Sequence, residues 1–146
     1  MSASGNVHSV CADDLKTIEK ALSDLPAGFR DKINMYYNID DPLAFVSQCG
    51  DRALIEQLWA QCAGDIFRGK DPGNLPDFLA LILKLYNAAH PERVLIAESP
   101  APGSPYDYCS QERVASDGHK IEKLLLPGLA LKNGARFVKA CVRLTR

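Results

Sequence analysis

Residues 117–145 read DGHKIEKLLLPGLALKNGARFVKACVRLT, and how that stretch pairs decides the fold. Asp117-Gly118 and Asn133-Gly134 are both favoured two-residue hairpin turns, because each supplies positive φ at little steric cost. Beyond the second turn Val138, Ala140, Val142 and Leu144 point one way while Lys139 and Arg143 point the other, the period of a half-buried strand. The turns therefore predict strands over 108–116, 119–126 and 135–145. Pro127-Gly128 ends or bulges the middle one.

Upstream of these strands lies the clearest helical pattern. Leu75-Pro76-Asp77 opens it, with Pro tolerated at an early position. Phe78, Leu79, Leu81, Ile82, Leu85, Ala88 and Ala89 supply a broad apolar face. It stops near His90, since Pro91 disfavours helix in the residue before it. Val94-Leu95-Ile96 is a brief extended piece, and Pro100 to Pro105 form a surface loop. Further back, Asp40-Asp41-Pro42 and the turn Cys49-Gly50-Asp51 bracket two short apolar runs, 43–48 and 53–59, which read as a small hairpin. Ile55, Leu58 or Trp59, Cys62 and Ile66 also fit a helical stripe. Our reading places a strand over 53–59 and a short helix over 61–67.

The amino-terminal segment is helical. Ala12-Asp13-Asp14 offers a cap, and Leu15, Ile18, Leu22 and Leu25 follow at spacings of 3, 4 and 3 until Pro26. That stripe is either packed on the protein's own sheet or a seam for a dimer or partner helix. A second short helix carries Phe29, Ile33 and Tyr36 or Tyr37. The whole is α+β: a five-stranded antiparallel sheet with helices on one face, formed by residues 43–146, behind a helical extension, residues 1–42.

Composition narrows the function classes. The 146 residues fit one domain of roughly 100–200 residues. A net charge of −1 weighs against a protein whose main task is gripping nucleic acid. Residues 118–146 nonetheless hold seven basic residues and one acidic, so Lys120, Lys123, Lys139 and Arg143 form a lesser nucleic-acid option. No apolar run spans a membrane, and the amino terminus lacks the basic start and apolar run of a secretory signal. Five cysteines, an odd number with no C-x-x-C pair, read as reduced thiols. The chain reads as cytoplasmic.

The order of elements, with Glu112-Arg113 followed by Asp117-Gly118, Phe67 through Gly69-Lys70-Asp71, and Ile121 to Pro127 before Asn133-Gly134, resembles a PAS domain. It is similar in particular to a single-PAS group abundant in alphaproteobacteria. The resemblance implies a sensory or regulatory module acting through protein–protein contacts, gated in some members by a small ligand. It also implies pairing of subunits through a flanking helix, here a homodimer, and output through a separate signalling protein. The implied cavity between helices and sheet draws on Trp59, Ile66, Phe67, Phe78, Ile82, Leu85, Leu124, Leu126, Val138 and Val142. The same ten side chains equally describe a filled core.

Cofactor chemistry is unspecified. The segment Ala60 to Asp65 does not match the cysteine motif of flavin-binding relatives. His90, at the end of the long helix, is the one haem-ligand candidate, and capping is its simpler role. No nucleophile stands with a base, Ser104 and Ser110 lack a Gly-x-Ser-x-Gly setting, and the adjacent Asp pairs sit where helices start. The expectation is a non-enzymatic module; a haem sensor using His90 and a small α+β enzyme with a cavity against the sheet stay open.

Overall fold

The computed structural model describes residues 16–146. The expected cap at residues 12–14 and Leu15 lie outside the described residues. Helix α1 covers residues 16–24, followed by α2 (Ala27–Tyr36), α3 (Pro42–Cys49), α4 (Arg52–Phe67) and α5 (Leu75–Ala89). Six strands then follow: β1 (Leu95–Glu98), β2 (Gln111–Arg113), β3 (Lys120–Leu126), β4 (Gly128–Leu131), β5 (Arg136–Val138) and β6 (Ala140–Thr145). The fold class is α+β. The strands form two three-stranded sheets, ordered β1-β4-β5 and β2-β6-β3, where the sequence reading expected one sheet of five.

The hairpin expected over 43–59 is helical instead. Two aspartates explain why. Asp41 caps α3, accepting from the Ala44 amide at 3.3 Å with Pro42 in the first turn, and Asp51 caps α4, accepting from Ala53 and Leu54 at 2.9 and 3.3 Å. Each carboxylate satisfies amides that a helix start leaves unpaired. Cys49-Gly50-Asp51 is thus a link between helices. The helical stripe won: Ile55, Leu58, Trp59, Cys62 and Ile66 are all buried along one continuous α4, and the short helix placed at 61–67 is its second half.

The carboxy-terminal third is β-structure, with a different pairing. β4 and β5 form the hairpin across Asn133-Gly134, where Gly134 has φ +97°. The Asp117-Gly118 hairpin does not form, because β6 lies between β2 and β3, parallel to the first and antiparallel to the second. Gly118 serves another purpose: at φ +151°, a Cβ there would lie 2.1 Å from the Thr145 carbonyl oxygen, so only glycine lets the chain pass the end of β6. β6 takes the centre because Ala140, Cys141, Val142 and Leu144 are all buried.

The chain crosses between the sheets three times, through residues 99–110, at Pro127 and at Lys139, and the last two crossings touch. A Cβ on Gly128 would sit 2.8 Å from the Val138 carbonyl oxygen and 2.9 Å from the Ala140 nitrogen. Trp59 of α4 pins the same point, its Nε1 donating to the Pro127 carbonyl oxygen at 2.8 Å. One buried cluster joins Ile18, Leu22 and Leu25 of the amino-terminal segment, Phe29 and Ile33 of α2, α4, α5 and Leu126, Leu129 and Cys141 of the sheets. A second, smaller cluster (Ile121, Val142 and Leu144, with Tyr106 and Leu124) lies apart from it. The loop of residues 103–106 closes the outer edge of β3 through Gly103 to Ile121 and Tyr106 to His119 bonds of 2.7 and 2.9 Å.

Candidate functional site

The ten side chains assigned to a cavity do not share one space. Trp59, Ile66, Phe78, Ile82, Leu85 and Leu126 converge in the main buried cluster, and of these six Leu85 is the most accessible at 6%. Leu124 and Val142 belong to the smaller cluster, Val138 is half-buried, and Phe67 is 52% exposed. Of the stripe assigned to a dimer seam, the described members Ile18, Leu22 and Leu25 are buried in the main cluster of this chain.

His90 closes α5. Its Nε2 lies 2.6 Å from the Gly50 carbonyl oxygen, and its ring lies 4.6 Å from that of Tyr86. A carbonyl only accepts, so Nε2 carries the proton, and the lone pair that iron would need is absent from that nitrogen. Among the described residues no group of three or more His, Cys, Asp or Glu is placed to hold a metal, and no helix is long and apolar enough to cross a membrane. Cys49, Cys62 and Cys141 are buried thiols, and Cys109 is an exposed one. Burial pushes the Cys62 thiol up to about 12 and that of Cys141 to about 11, so neither supplies a thiolate nucleophile at neutral pH.

Two surface features do concentrate chemistry. The first is an apolar groove of about 340 Å³ between the second half of α4 and the ends of both sheets. Ala60, Ala63 and Gly64 form the α4 side; their small size leaves the space open. Phe137 of β5 and Glu112 of β2 line the other side, and Phe67 stands between this groove and a second one bearing Tyr106 and Tyr108. Phe67, Tyr108 and Phe137 are 52, 73 and 37% exposed, half of the large hydrophobic side chains that reach solvent among the described residues. Among the described residues β2 and β5 are end strands, each with one edge lacking a strand partner. Arg68, Lys139 and Glu112 place two positive charges and one negative on the rim, Lys139 donating to the Tyr108 carbonyl oxygen at 3.1 Å. The Arg52 guanidinium lies 4.6 Å over the Phe137 ring and holds it in place.

The second feature is electrostatic. Asp65 is 3% exposed on the buried side of α4 and faces three cations: Lys32 in a close ion pair, Arg68 at 2.6 Å and Lys70 at 3.7 Å. Burial pushes its carboxyl up, but the bonds from Lys32 and Arg68 and the charge of Lys70 outweigh that and hold it below the ordinary carboxylate range. One buried anion thus ties α2 to α4 and to the loop after it.

Sequence reasoning missed both features. Phe67 was placed inside, although Ile55, Trp59, Cys62 and Ile66 set the buried stripe and leave the neighbouring Phe67 outside it. The run Ala60, Ala63, Gly64 was the available signal for a groove floor. Asp65 was legible as a carboxylate one step from a buried Ile. Of the four basic residues considered for nucleic acid, only Lys123 and Arg143 stand opposite each other in the β3–β6 register, whereas Lys120 faces Thr145 and Lys139 lines the apolar groove. No protein-family model, no curated protein and no solved structure matches this chain.

Proposed function

We propose that the chain is a non-enzymatic regulatory module that works by binding a segment of a separate signalling protein in the α4 groove. The observation that carries this is the exposed aromatic trio Phe67, Tyr108 and Phe137 at the free ends of two sheets. Aromatic side chains anchor protein interfaces because they bury much area at low entropic cost. An unpaired strand edge offers main-chain donors and acceptors to an extended segment. A segment covering both grooves fits the small, transient class of interfaces. The resemblance to PAS domains supplies the signalling part of this reading. It rests on the carboxy-terminal half, since the strands that a five-stranded PAS sheet would draw from residues 43–59 are helical here.

A photo-crosslinking amino acid placed at Phe67 or Phe137 tests the reading, with exposed Leu43 of α3 as the control position. The expected result is one discrete adduct at both groove positions, absent at Leu43 and lost when Phe137→Glu is added to the Phe67 probe. Equal yields at all three positions would sink the proposal. An adduct between two copies of this chain would replace the separate partner with a homodimer.

A further inference from the structure

A pocket of about 230 Å³ lies between the loop after α4 and the surface of the β2-β6-β3 sheet. Its charged lining is three cations, Lys70, Lys123 and Arg143, against one carboxylate, Asp71. That carboxylate is turned toward its own backbone, Oδ1 accepting from the Gly73 amide at 3.1 Å. Lys123 and Arg143 are direct cross-strand partners, and like charges in that relation destabilise a sheet. Among the described residues neither side chain has an ion pair or hydrogen bond. Lys70 is the third and outermost cation on Asp65, at 3.7 Å and half-exposed. Ile66, Val114 and Leu125 also line the pocket, an apolar wall against which a charge-assisted bond gains strength.

We propose that this pocket binds a compact anion of two or more negative charges, a phosphorylated or polycarboxylate metabolite. Three lining cations against one carboxylate, with Lys123 and Arg143 free of ion pairs among the described residues, match such a ligand, and bidentate recognition by Arg143 with point charges from Lys70 and Lys123 suits either phosphate or carboxylate oxygens. The volume is below the roughly 300–1,000 Å³ of drug-sized sites, which selects a small molecule. The inference stands without the α4 groove: the two lie on different lining residues.

Calorimetric titration with pyrophosphate and with citrate, at low salt and in parallel, tests the site on the full chain. Saturable binding of either probe is expected, the pyrophosphate arm alone indicating phosphate and the citrate arm alone polycarboxylate. The double variant Lys123→Gln/Arg143→Gln should bind at least about tenfold more weakly, as loss of a charge-assisted bond predicts. Without ligand that variant should melt no lower than the wild type, because it removes the cross-strand repulsion; this separates lost binding from lost fold. The proposal is overturned if neither probe binds, if wild type and variant bind alike, or if sodium chloride of matched ionic strength gives the same signal. Tight binding confined to a single-stranded oligonucleotide, steepening with its length, also overturns it in favour of a nucleic-acid surface.

Discussion

Replacing Asp65 with Asn keeps the shape of the side chain and removes its charge, leaving Lys32, Arg68 and Lys70 facing a neutral group. Bonds to charged groups contribute about 1.5–3 kcal/mol each. Arg68 and Lys70 side chains are 67 and 52% exposed and can turn into water, so their share is small. Lys32 is only 17% exposed and keeps nearly its full loss, giving about 2–3 kcal/mol in all. The pH dependence has a defined sign. The carboxyl of Asp65 is held below its unfolded value of about 3.9, so its stabilisation is complete above that value and is lost as pH falls through the folded one. Urea melts followed by circular dichroism should therefore show a constant gap between wild type and variant near neutrality, closing in acid below about pH 4. A gap under about 0.5 kcal/mol at neutral pH, the range of ordinary surface changes, would refute the reasoning, as would one that persists unchanged in acid.

Tyr37→Phe should stabilise the protein by about 1 kcal/mol in the same assay, because the Tyr37 hydroxyl is buried with no hydrogen-bond partner among the described residues and its desolvation cost disappears with it. Trp59→Phe should cost about 1–3 kcal/mol, since the Pro127 carbonyl loses its donor; a change near zero would mean that water replaces the indole. Gly128→Ala should lower the melting temperature by an amount corresponding to about 1–3 kcal/mol, the new methyl meeting backbone atoms of Val138 and Ala140 that cannot step aside. An unchanged melting temperature would show that the crossings are looser than their geometry implies.

The long helix and the tight turn at Asn133-Gly134 were readable from residues alone, and the reason is the same for both. Their signals are local: the apolar spacing from Phe78 to Ala89, and positive φ at Gly134. Where the sequence misled, a local pattern was outvoted by a distant contact. Asp117-Gly118 looks like a turn, yet Gly118 is glycine because Thr145 lies against it. The runs 43–48 and 53–59 carry apolar residues that suit strand or helix, and the deciding marks were the capping carboxylates of Asp41 and Asp51. The α4 groove draws its walls from α4, β2 and β5, and no window along the chain holds all three. Asp65 was visible as a charge on an apolar face, but the cations around it come from positions 32, 68 and 70, and the first of these is far away in sequence.

The β2-β6-β3 order has a consequence for biosynthesis. A growing chain emerges from the ribosome amino terminus first, so the helices and the two outer strands of this sheet are made before the strand that belongs between them. During that interval β2 and β3 have no mutual hydrogen bonds to form, and Ile121 lacks Val142 and Leu144, its cluster partners from β6. A nascent chain of this protein is accordingly expected to expose that face of β3 until β6 is made, the kind of apolar surface that makes folding intermediates prone to aggregate.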